Sequence, residues 1–404
     1  MHCSKRSAVA VPDDILVGIL SRVSAKSLCQ FQCVSKAWRD LIDDPCNRKK
    51  LPQAMQGLFY SYTTKKISEL DGSKFSVDYF SFVDLRTARS VPVFVDPCFS
   101  YLMELPGIQF LDLLDSCNGL ILFANRRHRY SETLGYIVCN PTTKQWQDVP
   151  TCGNPLPQER TLSYLAFDPA LSPHFQLVQF EATSVEKFTS VRAYSSEMGT
   201  WSHNLIDEHG EHGELEGWHH QVIPSSDLPK WSFVNGILHL IVWDWNQDHQ
   251  LILAVDVRGK TIRMITVPGA NVMHRYVCYI GQSQGCLHCI TQEASDVDDK
   301  SYKLSIWVLQ DYDTQEWVLK DILTSLQLLV DKSCGDNMAD FRVVDIHQDC
   351  DVVFFALSPN YKLIAYNMVR KEVSIIATFE PNLLQEFARY VPYFSESPAL
   401  TNKQ

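Results

Sequence analysis

The chain has 404 residues, 45% apolar and 21% charged, which provides for a large packed domain and argues against wholesale disorder. A formal net charge of −11 repels phosphate backbones and sets nucleic acid aside as the main partner. The start lacks the apolar stretch of a secretion signal, the longest apolar run (Gly236 to Trp243) falls well short of the ~20 residues that cross a bilayer, and thirteen cysteines without framework spacing read as reduced thiols, so a cytoplasmic or nuclear location off the membrane is expected.

Val11-Pro12-Asp13-Asp14 opens the first element. Proline suits a first helical turn, where its missing N–H leaves nothing unpaired, and the two aspartates favour the positive end of the helix dipole. Ile15, Leu16, Ile19, Leu20 and Val23 then form a wide apolar stripe on a helix of about three turns. Ser24 is placed to cap a second helix carrying Leu28 and Phe31. Val34, Trp38, Leu41 and Ile42 supply a third apolar face, which Pro45 is expected to end. A module this small cannot hide all these side chains within itself. Each surplus Leu or Ile that a partner buried would contribute roughly 1.5–3 kcal/mol. The bland alternative is a helical cap packed on the following domain.

Val11-Pro12-Asp13-Asp14-Ile15-Leu16, Ile19-Leu20-Ser21-Arg22-Val23, Lys26-Ser27-Leu28 and Cys33-Val34-Ser35-Lys36-Ala37-Trp38-Arg39 together resemble the F-box of plant F-box proteins. The resemblance implies docking onto a Skp-type adaptor, which joins a cullin scaffold carrying a RING subunit. By position, Pro12, Ile15, Leu16, Ile19, Leu20, Val23, Leu28 and Val34 are the candidates for adaptor contact or module core, with Trp38 assigned to the core. Two departures bear on affinity. Gly18 stands where the family has an acidic or polar helix former, and Cys46-Asn47-Arg48 replaces an aromatic residue; a mid-helix glycine costs about 1 kcal/mol relative to alanine.

From Gly57 onward short β-rich runs recur. An apolar strand ends in a turn residue, and an apolar or Trp position follows six residues later: Asn140 with Trp146, Ser195 with Trp201, Asp256 with Ile262, Asp311 with Trp317, Asn367 with Val373, and more weakly Asp84 with Ser90. The turn residues are separated by 56, 55, 61, 55 and 56 positions, and each interval holds four strands. Two units are drawn as Trp231–Val234, Gly236–Trp243, Gln250–Val257, Thr261–Val267 and as Val277–Gln282, Gly285–Thr291, Tyr302–Asp311, Glu316–Lys320. Four antiparallel strands repeated radially make a β-propeller, here with six blades. The first unit lacks an innermost strand, which Arg389–Ser395 is expected to supply. A β-sandwich with long insertions is the alternative. Ser116-Cys117-Asn118-Gly119-Leu120 and Asn140-Pro141-Thr142-Thr143-Lys144-Gln145-Trp146 further resemble the F-box-associated, kelch-like domains that follow plant F-boxes. The expected organisation is a short all-α F-box over 8–48, a linker over 49–56, an all-β kelch-like propeller over 57–397 and a disordered tail over 398–404.

In a four-stranded meander the loops joining strands two and three share a face with those joining successive blades. The long loops 125–133, 183–189, 244–249 and 292–301 fall there, as do 151–161 and 207–230. Binding residues concentrate on loops held by a rigid scaffold, so this face is expected to capture a target protein. Arg126, Arg127, Arg129 and Tyr130 form a basic loop suited to an acidic or phosphorylated partner, and Trp218, His219 and His220 are possible anchors. Solvated loop residues are the alternative for both groups. Trp146, Trp201 and Trp317 are read as packing residues.

Three motifs suggest chemistry and each has an ordinary explanation. Gly281-Gln282-Ser283-Gln284-Gly285 matches a nucleophile elbow, which needs a strand turning into a helix, whereas strand-like residues follow it. Cys286-Leu287-His288-Cys289 has a zinc-like spacing without a second ligand pair, and on a strand its two cysteines face opposite ways. His209, His212, His219 and His220 share one loop with no nearby cysteine. The expectation is a substrate receptor of a cullin–RING ubiquitin ligase with no catalytic group, metal or cofactor. A ligase-independent propeller scaffold is the alternative, and a hydrolase built on Ser283 the third reading.

Overall fold

The structure, a computed structural model, describes residues 11–23, 25–48, 50–67, 74–85, 95–128, 131–152, 160–182, 188–205, 222–224, 231–244, 248–257, 262–269, 275–294, 302–328, 341–357, 361–380 and 383–403. The N-terminal module is helical. Helix α1 (Asp13–Leu20) begins just after Pro12, whose carbonyl accepts from Leu16 N at 3.0 Å. Helix α2 (Ala25–Phe31) leads to α3 (Lys36–Asp43), whose first turn is capped by Ser35 Oγ accepting from Trp38 N at 3.2 Å. Ser24, the expected cap of α2, lies outside the described residues. Pro45 does more than end α3: it opens a further turn, α4 (Pro45–Arg48). Asp44 Oδ1 accepts from Cys46 N at 2.7 Å there, and a first-turn proline forfeits no hydrogen bond. Val17, Leu20, Leu28, Ile42 and Leu51 form the module's own core, with Trp38 edge-on to Phe31 at its margin.

The described strands of the remaining chain form six antiparallel sheets. From the axis outward, the first blade runs Leu383–Tyr390, Gly57–Ile67, Lys74–Asp84. The second runs Phe110–Cys117, Leu120–Arg126, Thr133–Asn140, Gln145–Pro150, and the third Arg160–Ala166, Gln176–Ala182, Phe188–Ser195, Thr200–Leu205. In the fourth, Trp231–Val234 and Val222–Pro224 pair with opposite halves of Ile237–Asp244, followed by His249–Asp256 and Ile262–Thr266. The fifth comprises Arg275–Ser283, Cys286–Ala294, Tyr302–Asp311, Glu316–Thr324; the sixth comprises Phe341–Ile346, Val352–Leu357, Lys362–Asn367, Glu372–Thr378. The propeller reading holds over the sandwich. Asp84 ends a strand as expected, while Ser90 lies outside the described residues.

The six-residue spacing has a local cause. Asn140 Oδ1 accepts from Thr142 N at 2.9 Å, Asp311 Oδ1 from Asp313 N and Thr314 N at 2.9 and 2.8 Å, and Asn367 Oδ1 from Val369 N and Arg370 N at 3.0 and 2.9 Å. Four residues after each of these comes one with positive φ: Lys144, Gln315 and Lys371. The short polar side chain folds the turn over itself, and the left-handed residue feeds the outermost strand. Two positions along that strand, Trp201 Nε1 donates to Pro150 O and Trp317 Nε1 to Thr266 O, both at 2.9 Å. Each tryptophan thereby ties its blade to the preceding one.

Among the described residues six apolar clusters fill the propeller, one between each pair of neighbouring blades. Phe59, Phe99 and Phe123 join the first to the second; Leu122 and Leu165 the second to the third; Phe180 and Leu240 the third to the fourth; Ile252 and Ile280 the fourth to the fifth; Ile306 and Val353 the fifth to the sixth. Phe354 and Leu363 meet Leu58 and Val83 across the closing seam from sixth to first.

Closure differs in register from the expectation. The innermost strand of the first blade is Leu383–Tyr390, not Arg389–Ser395. Pro392 has no N–H to donate to a ladder, so the strand stops short of it. Residues 391–401 instead run as a strap beneath the second blade. Asn140 Nδ2 donates to Tyr393 O at 2.7 Å, Tyr393 N to Thr142 Oγ1 at 3.2 Å, and Ser397 N to Gln145 Oε1 at 3.3 Å. The strap ends with Asn402 and Lys403 pairing with Trp146 and Gln145, so the expected disordered tail is in part an edge strand. Gly119, at φ +96, lies so close that a Cβ would sit 2.6 Å from Tyr393 Cβ and 2.7 Å from Val391 O. Gly119→Ala is expected to lower stability by about 1–3 kcal/mol through strain and overpacking, read as a lower denaturant midpoint; an unchanged midpoint would show that the strap yields freely.

Candidate protein-interaction sites

The eight N-terminal candidates divide by burial. Leu20 and Leu28 are buried, and Leu16 and Val23 pack against the same core. Pro12, Ile15, Ile19 and Val34 face outward, Ile15 and Ile19 at 53% exposure and Val34 at 65%. Ile15 and Ile19 share one face of α1 at four-residue spacing, and Val11, at 52%, stands exposed just ahead of the helix. Its exposure places Val11 with the candidates. This apolar row lies on a module that has already filled its own core.

The predicted loop-face residues fare unevenly. Arg126 is tied into the sheet: its Nε lies 3.3 Å from Asp112 Oδ2 and its Nη1 donates to Ser131 O at 3.1 Å. It braces the loop rather than offering charge to a partner. Arg127 and His128 are exposed beside it. Arg129, Tyr130, Trp218, His219 and His220 lie outside the described residues.

Sequence reading missed the axis. A cavity of about 180 Å³ is lined there by the innermost strands, among them Asp115, Trp231, Tyr279, Arg342, Asp345 and Arg389. Each of Phe110–Cys117, Arg275–Ser283 and Phe341–Ile346 carries one extra residue against its partner strand, just before Asp115, Tyr279 and Asp345 respectively. Such bulges re-aim side chains. Here Arg389 grips Asp345 through Nε at 2.9 Å and through Nη2, while Tyr279 OH donates to Asp345 Oδ1 at 2.8 Å. Burial disfavours the charge on Arg389, but the Asp345 carboxylate more than offsets it and holds the guanidinium above its ordinary pKa. Burial pushes the Asp115 carboxyl well above the usual range, although Leu165 N and Ser116 N donate to it.

The chemical motifs resolve into packing. Ser283 is buried, its Oγ donates to His347 O at 2.7 Å, and Gln284 and Gly285, at φ 51 and 76, turn the chain into the next strand. A hairpin stands where a nucleophile elbow would need a helix. Cys289 is buried and its thiol pushed well up by burial, whereas Cys286 is half-buried. Among the described residues no group of three or more His, Cys, Asp or Glu side chains is arranged to hold a metal; His209, His212, His219 and His220 lie outside them.

A model of the F-box domain matches residues 10–50, and one of the F-box associated beta propeller domain matches residues 98–381. The chain belongs to the F-box associated beta propeller family. The family match omits Gly57–Ile67, Lys74–Asp84 and Leu383–Tyr390, the strands of the first blade that close this F-box propeller protein. Among its relatives in Arabidopsis thaliana, a protein carrying the F-box name, At3g10240, is 24% identical over 335 residues, 83% of this chain and 76% of the relative. F-box protein At5g65850 is 24% identical over 320 residues (77% and 70%), and F-box protein At5g07610 is 28% identical over 221 residues (49% and 46%). A chain of a nidogen/laminin complex superimposes with a TM-score of 0.41 at 10% identity over 83% of this chain and 98% of its own, too distant a likeness to bear on function.

Two predictions follow from buried polar groups of the propeller. Arg389→Met leaves Asp345 buried without its cation and is expected to cost about 3–5 kcal/mol, read as a lowered denaturant midpoint; a loss within 1 kcal/mol would show that the pair contributes little. Burial lowers the pKa of His239, His288 and His347 from 6.5 to about 4. Each is neutral in the fold and takes up a proton on unfolding between those values, so their contribution is complete above pH 6.5 and is lost as pH falls towards 4. Denaturation midpoints should decline over that window, less steeply in His288→Leu than in the wild type.

Proposed function

We propose that this protein is the substrate-recognition subunit of an SCF-type ubiquitin ligase, its F-box holding a Skp-type adaptor and its propeller holding a target protein. The observation that carries the reading is the set of exposed apolar side chains Val11, Ile15, Ile19 and Val34, left outside a helical module with a separate core. Such side chains gain when a partner covers them, and membership of an F-box family supports an adaptor as that partner. The propeller supplies a rigid frame for target-binding loops. Such a subunit needs no catalytic residue. Holding a target near a ubiquitin-charged conjugating enzyme raises the effective concentration of its lysines.

Because Leu16 and Leu20 belong to the module core, acidic substitutions there would unfold it rather than probe contact. Ile15→Asp and Ile19→Asp test the outer row. Each is expected to weaken capture of recombinant Skp-type adaptor by tenfold or more, with the denaturant midpoint unchanged. If the wild-type chain captures no adaptor, or both variants capture it as well as the wild type does, the ligase reading fails. A ligase-independent scaffold becomes the better account.

A further inference from the structure

Two arginines line the axial cavity with hydrogen-bond donors unused. Arg342, on the innermost strand of the sixth blade, is half-buried, its guanidinium carbon 5.4 Å from the centre of the Phe387 ring. It forms no hydrogen bond or ion pair among the described residues. Phe387 stands two positions before Arg389 on the closing strand, so the two side chains share one of its faces. Arg389 donates through Nε and Nη2 to Asp345 and through Nη2 to Ile346 O, while Nη1 meets no acceptor among the described residues.

The surrounding groups leave one positive charge to be balanced. Asp345 is paired with Arg389, burial disfavours a charge on Asp115, and Glu386 is exposed to solvent. Leu114 and Val344, the extra residues of two strand bulges, join Trp231 in giving the cavity an apolar wall. Bulges are over-represented beside functional sites, where they re-aim neighbouring side chains. A cavity of roughly 150 Å³ accommodates benzene, so one of about 180 Å³ admits a compact acid or a single acidic side chain and excludes a nucleotide.

We propose that the axial cavity receives a single carboxylate, held by Arg342 and by the unused Nη1 edge of Arg389. The planar guanidinium fork matches a carboxylate, and one negative charge balances Arg342. Contact with Phe387 already restrains the Arg342 side chain, so less rotamer freedom is lost when the anion arrives. The carboxylate is borne by a free organic acid or by an Asp or Glu of a target protein. Only the second source rests on the ligase-subunit reading.

Calorimetric titration of the full-length chain with sodium benzoate, and separately with acetyl-Gly-Glu-Gly-amide, tests the proposal. At least one probe should bind, whereas benzamide, of similar shape and no charge, should not. Binding of benzoate alone assigns a free acid, and binding of the peptide alone assigns a protein side chain. Arg342→Met should weaken the bound probe by tenfold or more with the denaturant midpoint unchanged, since that side chain has no protein partner to lose. Arg389→Lys, which keeps a cation beside Asp345 but lacks the second edge, should also weaken it. No binding of either probe at about 10 mM, or equal binding by Arg342→Met and the wild type, overturns the proposal. Neither titration involves the adaptor, so failure of adaptor capture and failure of this site are read separately.

Discussion

A ring of sheets is free of a seam only if its last strand pairs into its first blade, and Leu383–Tyr390 does this by laying itself against Gly57–Ile67. Everything else in the propeller presupposes that return. Arg389, carried on the closing strand, grips Asp345 of the sixth blade, and Tyr279 of the fifth donates to the same carboxylate. Three blades therefore share one buried polar node on the axis. Beyond the strand the chain does not leave the fold. It passes under the turns of the second blade and adds a last short strand to that blade's outer edge. First and last segments are thus held twice, once at the axis and once at the rim.

The strap also gives the two best-matching family motifs a physical meaning. Asn118-Gly119 makes the tight turn that lets Val391 and Tyr393 pass close beneath. Asn140 and Thr142 fold their own turn and hydrogen-bond the strap with the same residues. Later blades keep the turn chemistry, with Asp311 or Asn367 in the same role.

The two modules divide the work by how they treat apolar surface. Among the described residues the propeller packs apolar side chains between blades in six clusters that make neighbouring sheets interdependent, and leaves others, such as Val318, Leu319 and Ile322, at its surface. The helical module closes a small core and leaves Val11, Ile15, Ile19 and Val34 outside.

The placement of the first three helices, the β-repeat and several strand bounds in the fourth and fifth blades were legible in the sequence, whereas the added turn Pro45–Arg48 was not. Local periodicity and turn residues fix them: the fourth blade's drawn Trp231–Val234 and the fifth's Tyr302–Asp311 match strand for strand. What depends on contact between distant segments was not legible. Arg389–Ser395 reads as β-like, but a strand is chosen by the partner that accepts it, and Pro392 cannot donate to one. The extra residues before Asp115, Tyr279 and Asp345 leave no periodic trace, because a bulge is a mismatch between two strands rather than a property of either. In the same way the sequence by itself determined that Leu16 and Leu20, Ile15 and Ile19 are apolar and share one helix. Only the packing of α2 and α3 against α1 decided which pair is core and which is exposed, since burial belongs to the assembled surfaces and not to the residue.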